Sequence, residues 1–355
     1  MKRDSNLPAE WTDAKTSSPL ISIIIVNLNG EEYLGDCLRS LDAQSFREFE
    51  VIVVDNGSTD GSLSLIRNKF PWVRLIDLEE NMGFSRGNNL GIVKADTKYI
   101  ATLNNDTIAD SGWLEALYQA AEMDSTIGMV ASKILLGKDG RTIDSVGMLV
   151  YPDGMSRQQG RGETDQHQFD GIKDILFPSA CAALYRCEML QRIGYFDEDF
   201  FSYCEDTDLG LRARLAGWKA VLAPLAEIRH LYSQTGGPYS SFKAYHVERN
   251  RMWVLLKDLP LSYIVMFPLY SLWRYLVQAY SLLTGKGNVA RFAESAGRSG
   301  LMMVVLRAYV DALSRLPKML AKRRDIWSRK LLSVTEYKRL LRKHHISAQE
   351  LILRD

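Results

Sequence analysis

Polar side chains follow three short apolar runs in the first third of the chain. Asn27, Asp55 and Asp106 each stand at the end of such a run. Continuous Val, Ile and Leu runs are typical of buried parallel strands, and open α/β sheets bind ligands at the carboxyl ends of their strands. The three side chains are therefore expected to face one ligand. A carboxylate there can hold Mg²⁺ or Mn²⁺ with two phosphate oxygens, although Asp106 could equally cap the next helix.

Two loops have the composition of a nucleotide site. In residues 55–60 a carboxylate precedes a glycine and hydroxyl side chains, so Asp55 could accept a hydrogen bond from a pyrimidine or a ribose hydroxyl. In residues 81–89 two glycines permit close backbone approach, a helix start attracts phosphate, and Arg86 could pair with a diphosphate. Each loop taken alone is also explained as an ordinary turn that caps a helix.

Aromatic and acidic side chains alternate in residues 194–208, just before a predicted helix. The helix dipole accounts for one or two of the carboxylates Glu205, Asp206 and Asp208, but not for the aromatic residues before them. An aromatic pocket containing a carboxylate suits sugar binding and a general base. His230 ends a later apolar run and could serve as a ligand of Mn²⁺, although a lone histidine is more often structural.

Alternating strands and helices are predicted to position these residues. Strands are predicted at 21–26, 50–55, 73–77 and 99–103, and helices at 31–43, 61–70, 84–95 and 112–123. This alternation indicates an α/β fold with a parallel, doubly wound sheet. Residues 137–175 are predicted to form a hairpin and a loop, and the pattern becomes helical beyond about residue 239.

The order of these motifs resembles that of the family 2 glycosyltransferases, which are nucleotide-sugar-dependent, inverting enzymes with the GT-A fold. The resemblance covers residues 20 to about 235, and residues 205–212 are its most specific part. Residues 26–29 and 81–84 are similar to those of rhamnosyltransferase-like enzymes that build bacterial surface polysaccharide. The resemblance implies a GT-A catalytic domain at 20–238. The residue pattern predicts a mobile leader at 1–19 and a helical, basic C-terminal region at 239–355.

The resemblance also implies a role for each motif. Asp206 would be the catalytic base beside Glu205, and Asp106 and His230 would hold Mg²⁺ or Mn²⁺. Asn104 replaces the first aspartate of the family's Asp-x-Asp motif, which leaves Asp106 as the strong carboxylate ligand. The donor nucleotide would contact Val26, Asn27, Asn29, Asp55, Asn56, Gly57, Asn81, Gly83, Phe84, Arg86, Asn88, Asn104 and Asn105. The acceptor would contact Ser179, Phe200 and Tyr203.

Charge is unevenly distributed along the chain. The net charge is +1, but residues 286–343 contain 15 Lys/Arg and 4 Asp/Glu, a net +11, which leaves −10 elsewhere. A basic segment of this kind suggests nucleic acid or an anionic membrane as a partner. The four cysteines lack C-x-x-C spacing, which favours neither zinc nor a disulfide framework. The N-terminus lacks an apolar signal region, so a cytoplasmic location is expected.

Residues 259–285 are apolar apart from Arg274. Arg274 near the middle would cost about 2.5–3.5 kcal/mol in a spanning helix. A polar stripe and a set of aromatics at helical spacing favour a helix lying in the membrane interface. The stripe is Ser271, Arg274, Gln278 and Ser281, and the aromatics are Tyr263, Tyr270, Trp273, Tyr275 and Tyr280. Peripheral contact with the inner face of the cell membrane is therefore predicted; packing on the catalytic domain or a homodimer interface is the alternative.

These features predict an enzyme that moves a sugar, rhamnose by resemblance, from a dTDP or UDP donor to a hydroxyl of a glycan or polyprenyl-linked glycan. One alternative is a nucleotidyltransferase acting on sugar phosphates. That class would favour a basic Gly-rich loop after the first strand, whereas residues 27–32 are acidic. The other is a non-enzymatic nucleic-acid-binding protein. Nucleic acid is not predicted as a partner, because the tail's aromatics interleave with Leu and Val at helical spacing.

Overall fold

A computed structural model describes residues 18–137, 140–171, 174–231, 240–285 and 298–353. The predicted leader lies outside these residues except for positions 18 and 19. The strands are β1 (Ile21–Asn27), β2 (Phe49–Asn56), β3 (Arg74–Leu78), β4 (Tyr99–Leu103), β5 (Thr107–Ala109), β6 (Ile127–Leu136), β7 (Thr142–Ser145), β8 (Met148–Val150), β9 (Ser156–Gln158), β10 (Ala182–Arg186) and β11 (Lys219–His230).

The helices match the predicted alternation in the first half and continue to the end of the described chain. They are α1 (Glu31–Asp42), α2 (Ser62–Lys69), α3 (Phe84–Ile92), α4 (Trp113–Glu122), α5 (Cys187–Ile193), α6 (Glu205–Leu215), α7 (Ser241–Asp258), α8 (Leu261–Thr284), α9 (Arg298–Ser314), α10 (Leu316–Ser328), α11 (Val334–Lys343) and α12 (Ala348–Leu353). The predicted hairpin in 137–175 corresponds to β8 and β9, which pair antiparallel.

Most strands join one mixed sheet in the order β3-β2-β1-β4-β10-β6-β11-β5, with β7 beside β6. The first four are parallel, as predicted, and Asn27 is level with Asp55. Beyond β4 the sheet is mixed, because β10, which lies after the segment of predicted alternation, inserts antiparallel between β4 and β6. Strand direction in this region depends on where the chain returns, which a local apolar run does not encode.

Side chains of β1 and β2 are buried on both faces of the sheet. Ile24 and Ile52 pack into one apolar cluster, whereas Ile23 and Val51 pack into the other. This two-sided burial is the physical reason why these strands have continuous apolar sequences instead of alternating ones. The sheet is thereby held rigid behind the polar residues at its carboxyl edge.

Cations of the C-terminal helices pair with acidic and carbonyl groups that precede these helices in the chain. Asp199 lies 2.6 Å from Lys318, 2.6 Å from Lys322 and 3.3 Å from Arg315. Arg323 donates to the backbone carbonyls of Leu256 and Leu259 rather than facing solvent as a free charge. Part of the basic segment is therefore matched within the protein, which reduces the charge it presents to an external partner.

Helix α8 turns its polar side toward the protein. Arg274 is buried and donates to Asp153 at 2.7 Å and to Glu248 at 2.9 Å. Ser271 and Ser281 are buried on the same side. The predicted polar stripe thus exists, but it faces protein partners, because two buried carboxylates satisfy an arginine that would be costly in lipid.

The outward face of α8 is apolar. Its exposed large side chains are Leu261, Val265, Met266, Leu269, Leu272, Trp273, Leu276, Tyr280 and Leu283, and α9 exposes Met302, Met303, Leu306, Val310 and Leu313. Of the five aromatics predicted for the interface, only Trp273 and Tyr280 belong to this exposed set. Nowhere in the described ranges does a helix have the length and hydropathy needed to cross a membrane.

Candidate active site

A cavity of about 610 Å³ lies at the carboxyl ends of β1, β2 and β4 and extends to the C-terminal helices. Many of the predicted site residues line it: Val26, Asn56, Asn81, Gly83, Phe84, Asn104, Asn105, Asp106, Ser179, Tyr203, Glu205, Asp206 and His230. A cavity of this size suits a nucleotide-sized ligand. A cavity therefore does lie at the strand ends, although of the three strand-end residues Asn27, Asp55 and Asp106 only Asp106 lines it.

Strand pairing brings the two predicted metal ligands together. His230 pairs with Thr107 in the β11–β5 ladder, so its side chain lies beside Asp106, with Nε2 3.3 Å from Oδ1. Both residues are buried and line the cavity. A carboxylate oxygen and an imidazole nitrogen on a cavity wall form a donor set that fits Mn²⁺ or Mg²⁺.

A second carboxylate, which the sequence did not single out, orients this histidine. Asp144 lies 2.8 Å from Nδ1 of His230 and is itself paired with Arg161. Burial opposes charge on the imidazole, but Cys181 and hydrogen bonds to the Asp106 and Asp144 carboxylates raise the pKa of His230 well above its usual range. Such a carboxylate–histidine pair fixes ring orientation in metal sites. Asp144 falls in the predicted loop region, where no strand-end pattern pointed to it.

Another group of potential metal ligands lies elsewhere. Asp165, His167 and Asp170 have donor atoms within 4.8 Å of one another. Both aspartates lie 3.1 Å from the ammonium of Lys133, which also contacts Glu227. A buried lysine already neutralises these carboxylates, and the cavity lining does not include them. Asp106 and His230 therefore remain the better candidate ligands.

Several predicted donor contacts sit behind the cavity wall instead of on it. Asp55 is fully buried, accepting hydrogen bonds from Asn27 at 2.8 Å and from Ser58 at 2.8 and 2.9 Å. Its contact with a nucleobase stays a prediction. Such a contact would require one of these hydrogen bonds to Asp55 to break. The other predicted residues outside the cavity lining are Asn27, Asn29, Gly57, Arg86, Asn88 and Phe200.

The glycine before α3, Gly83, allows close packing of Phe201 as well as close approach of a ligand. Gly83 has a φ of +85°, and a Cβ there would lie 2.6 Å from the ring and carbonyl of Phe201. At this helix start Gly83 N donates to Asn81 and Ser85 N donates to Phe201 O. Two of the amides expected to attract phosphate are thus already bonded.

The two predicted catalytic carboxylates begin α6. Glu205 is buried and its Oε2 has no hydrogen-bond partner among the described residues, whereas Asp206 accepts from the backbone N–H groups of Thr207 at 2.7 Å and Ala180 at 3.4 Å. Burial, followed by the Asp206 charge, raises the pKa of Glu205 well above its usual range. Burial also raises the pKa of Asp206, but these hydrogen bonds oppose the shift. The environment therefore favours a protonated Glu205 beside an ionised Asp206, which is a suitable pair for general-base chemistry.

Two of the three predicted acceptor residues line the cavity, and the third does not. Ser179 and Tyr203 line the cavity, while Phe200 is buried with its ring 5.7 Å from that of Trp253. The cavity wall also includes Gln278 of α8 and Val305 of α9, which the sequence did not indicate. These long-range contacts have no signature in local spacing.

Comparison with known proteins gives the family. The model for "Glycosyl transferase family 2" matches residues 22–194, the segment that holds β1 to β10. Residues 22–194 form a family 2 glycosyltransferase domain. The match agrees with the family that the strand-end residues predicted. It decides against the nucleotidyltransferase and the non-enzymatic alternatives.

Two curated relatives are similar over more than half of the length of this chain. The N-acetylglucosaminyl-diphospho-decaprenol L-rhamnosyltransferase of Mycobacterium tuberculosis is 27% identical over 251 residues, 64% of this chain and 81% of the relative. The poly-beta-1,6-N-acetyl-D-glucosamine synthase of Staphylococcus aureus is 25% identical over 276 residues, 73% of this chain and 64% of the relative.

Among solved structures, GalNAc-T7 with UDP, GalNAc and Mn²⁺ aligns with a TM-score of 0.56 at 15% identity, covering 78% of this chain and 54% of that one. At this identity the likeness concerns the fold alone. The GT-A fold is confirmed, and a helical C-terminal region follows it.

Proposed function

We propose that this glycosyltransferase moves a sugar, with inversion, from a nucleoside diphosphate to a hydroxyl of a glycan in cell-surface polysaccharide synthesis. One observation carries the proposal. A single cavity is lined both by the Asp106–His230 pair and by the Glu205–Asp206 pair. A diphosphate-binding pair and a general base in one cavity are what direct displacement at an anomeric carbon requires.

Asp206 performs the proton transfer in this proposal. Its carboxylate accepts the proton of the acceptor hydroxyl as the oxygen attacks the anomeric carbon. The bond from that carbon to the diphosphate oxygen breaks, and the nucleoside diphosphate leaves. Displacement from the opposite face inverts the anomeric configuration. Glu205, held neutral beside Asp206, adds no second negative charge at the site.

Asp106 and His230 would hold Mg²⁺ or Mn²⁺ against the diphosphate. The ion would neutralise the charge that develops on the leaving group. Asp144 and the fold keep the imidazole of His230 directed at Asp106. Asn104 lines the cavity next to this pair. Since an amide is a weaker ligand than a carboxylate, the substitution leaves Asp106 to supply most of the negative charge to the ion.

The proposed donor is a dTDP- or UDP-activated sugar, and the proposed acceptor is a polyprenyl-linked glycan. Rhamnose and a lipid-linked acceptor are supported by the relative named N-acetylglucosaminyl-diphospho-decaprenol L-rhamnosyltransferase, which aligns over 64% of this chain. The test is a transfer assay with Mn²⁺, dTDP-rhamnose or UDP-sugars, and polyprenyl-diphosphate-linked N-acetylglucosamine. Acceptor-dependent release of nucleoside diphosphate is expected. Formation of a nucleotide sugar from a nucleoside triphosphate and a sugar phosphate would contradict the proposal.

The apolar outer face of α8 and α9 is proposed to rest on the cell membrane. Gln278 and Val305, from the same two helices, line the cavity, so the helices that bear the apolar face also border the site. A lipid-linked acceptor would then reach the cavity with its lipid next to that face. Because several cations of the basic segment are paired internally, apolar burial rather than charge is expected to dominate binding.

A double substitution on this face tests membrane contact. Leu272→Asp with Leu276→Asp places two charges on the exposed side of α8 and is expected to lower vesicle binding about tenfold or more. Leu225→Asp changes a leucine on β11 that is even more exposed; it is the control and should bind normally. The measurement is co-sedimentation with phosphatidylglycerol-containing vesicles at low and high salt.

Native protein is expected to sediment with vesicles at both salt concentrations. Native protein left in the supernatant at both, or a double variant that sediments as well as native protein, would contradict membrane contact. A native dimer in light scattering that the double variant converts to a monomer would instead assign the face to a second copy of the chain.

A further inference from the structure

The loop that leads into the catalytic carboxylates has an unusual backbone. Phe201, Tyr203 and Cys204 have φ values of 66°, 69° and 65°, and none of them is glycine. Left-handed backbone is unfavourable at residues with a Cβ and persists only where surrounding contacts enforce it. Glu205 follows this loop directly, so the loop conformation sets where α6 begins.

One side chain from the C-terminal region holds this loop. Asn250 of α7 is fully buried, and its amide nitrogen lies 3.0 Å from Phe200 O, 2.9 Å from Ser202 O and 2.7 Å from Tyr203 O. Three backbone carbonyls thus converge on one side-chain donor. The two N–H hydrogens of the amide are shared among these carbonyls, and without Asn250 the carbonyls of Ser202 and Tyr203 would lose this partner, whereas Phe200 O also accepts from Ser202 N.

The neighbouring residue fixes the orientation of that amide. Arg249 Nε donates to Asn250 Oδ1 at 2.9 Å, so the amide must present its nitrogen to the loop. The same guanidinium donates to Phe200 O at 2.9 Å. From the other side, Ser85 N of α3 donates to Phe201 O. The loop is therefore held between α3 and α7.

We propose that Asn250 is a positioning residue for the catalytic base. By gathering the carbonyls of the left-handed loop, it fixes the start of α6 and with it the direction of the Asp206 carboxylate. The inference rests on the proposed role of Asp206. It also makes α7 part of the catalytic apparatus, although α7 lies outside the matched family segment.

The test compares Asn250→Ala with Gln44→Ala in the full-length protein. Gln44 is also a fully buried amide that bonds backbone groups, donating to Asp110 O and accepting from Leu114 N, but it does not contact the loop. Both variants are expected to unfold at a lower temperature than the native protein. Only Asn250→Ala is expected to lose turnover, by about 10²-fold, because a small misplacement of a reacting group has that effect.

A split between kinetics and binding separates positioning from general damage. Asn250→Ala should keep the nucleoside diphosphate affinity within about twofold, since Asp106 and His230 are untouched, while kcat falls. Turnover within a few-fold of the Gln44→Ala value would overturn the inference. If Asn250→Ala does not fold, Arg249→Met removes the orienting bond, and full turnover in that variant would overturn it equally.

The Asp206→Asn variant, assayed in parallel, distinguishes the two proposals. An inactive Asp206→Asn with an active Asn250→Ala refutes only the positioning role. Normal turnover in Asp206→Asn refutes the proposed base, whatever Asn250→Ala does.

Discussion

Replacing Asp206 by Asn is expected to lower turnover by about 10²-fold or more while donor affinity is retained. An amide of the same shape cannot accept the proton of the acceptor hydroxyl. Thr207 N can still donate to the amide oxygen at the position of Oδ1, and only the longer bond from Ala180 N to Oδ2, at 3.4 Å, is lost, so the start of α6 should persist. Steady-state kinetics give kcat, and calorimetry gives the affinity for the nucleoside diphosphate.

The pH profile adds a second signature of the base. Because burial raises the pKa of Asp206, turnover of the native enzyme should fall as pH drops through a value above the ordinary aspartate pKa of about 3.9. The acidic limb should vanish in Asp206→Asn. Glu188→Gln removes a carboxylate from the first turn of α5, outside the cavity lining, and serves as the control for simple helix-dipole effects. Near-normal kcat in Asp206→Asn would remove Asp206 from the mechanism.

Removing Asp106 is expected to abolish the contribution of metal to donor binding. In the native protein Mn²⁺ should strengthen nucleoside diphosphate binding about tenfold or more over EDTA, since Asp106 would hold a cation in the cavity that attracts the diphosphate. In Asp106→Asn the affinities with Mn²⁺ and with EDTA should be nearly equal. Titration calorimetry under both conditions measures the difference.

Asp170→Asn is the matched control for this metal effect. It removes one carboxylate from the other candidate ligand group, formed with Asp165 and His167, and should leave the Mn²⁺ effect intact. Loss of the effect in Asp170→Asn but not in Asp106→Asn would assign the metal to Asp165, His167 and Asp170 and contradict the proposed site. Equal native affinity in EDTA and Mn²⁺ would refute a metal role in donor binding.

The strand ends and the early helices could be predicted from the sequence because they depend on local patterns. The predicted strand at 99–103 corresponds to Tyr99–Leu103, and apolar runs ending in Asn27, Asp55 and Asp106 do meet at one edge of the sheet. The sequence did not show which of these residues faces the cavity. Asp55 lies behind the wall, because the Ser58 side chain turns back onto it.

The contacts that complete the site join distant parts of the chain. Asn250 reaches a loop about 50 residues earlier, and Asp144 reaches His230 86 residues later. Such pairs arise from tertiary packing and leave no spacing pattern. The polar stripe of α8 was visible in the sequence, but its direction was not, since only Asp153 and Glu248 show that Arg274 faces the protein.

The anomeric configuration of the transferred sugar tests the central proposal most directly. Product is made by the native enzyme from a nucleotide sugar of known configuration and a polyprenyl-linked acceptor, and the new linkage is examined by NMR. Direct displacement assisted by Asp206 predicts a single product with configuration opposite to that of the donor. A product that retains the donor configuration would contradict the proposed mechanism.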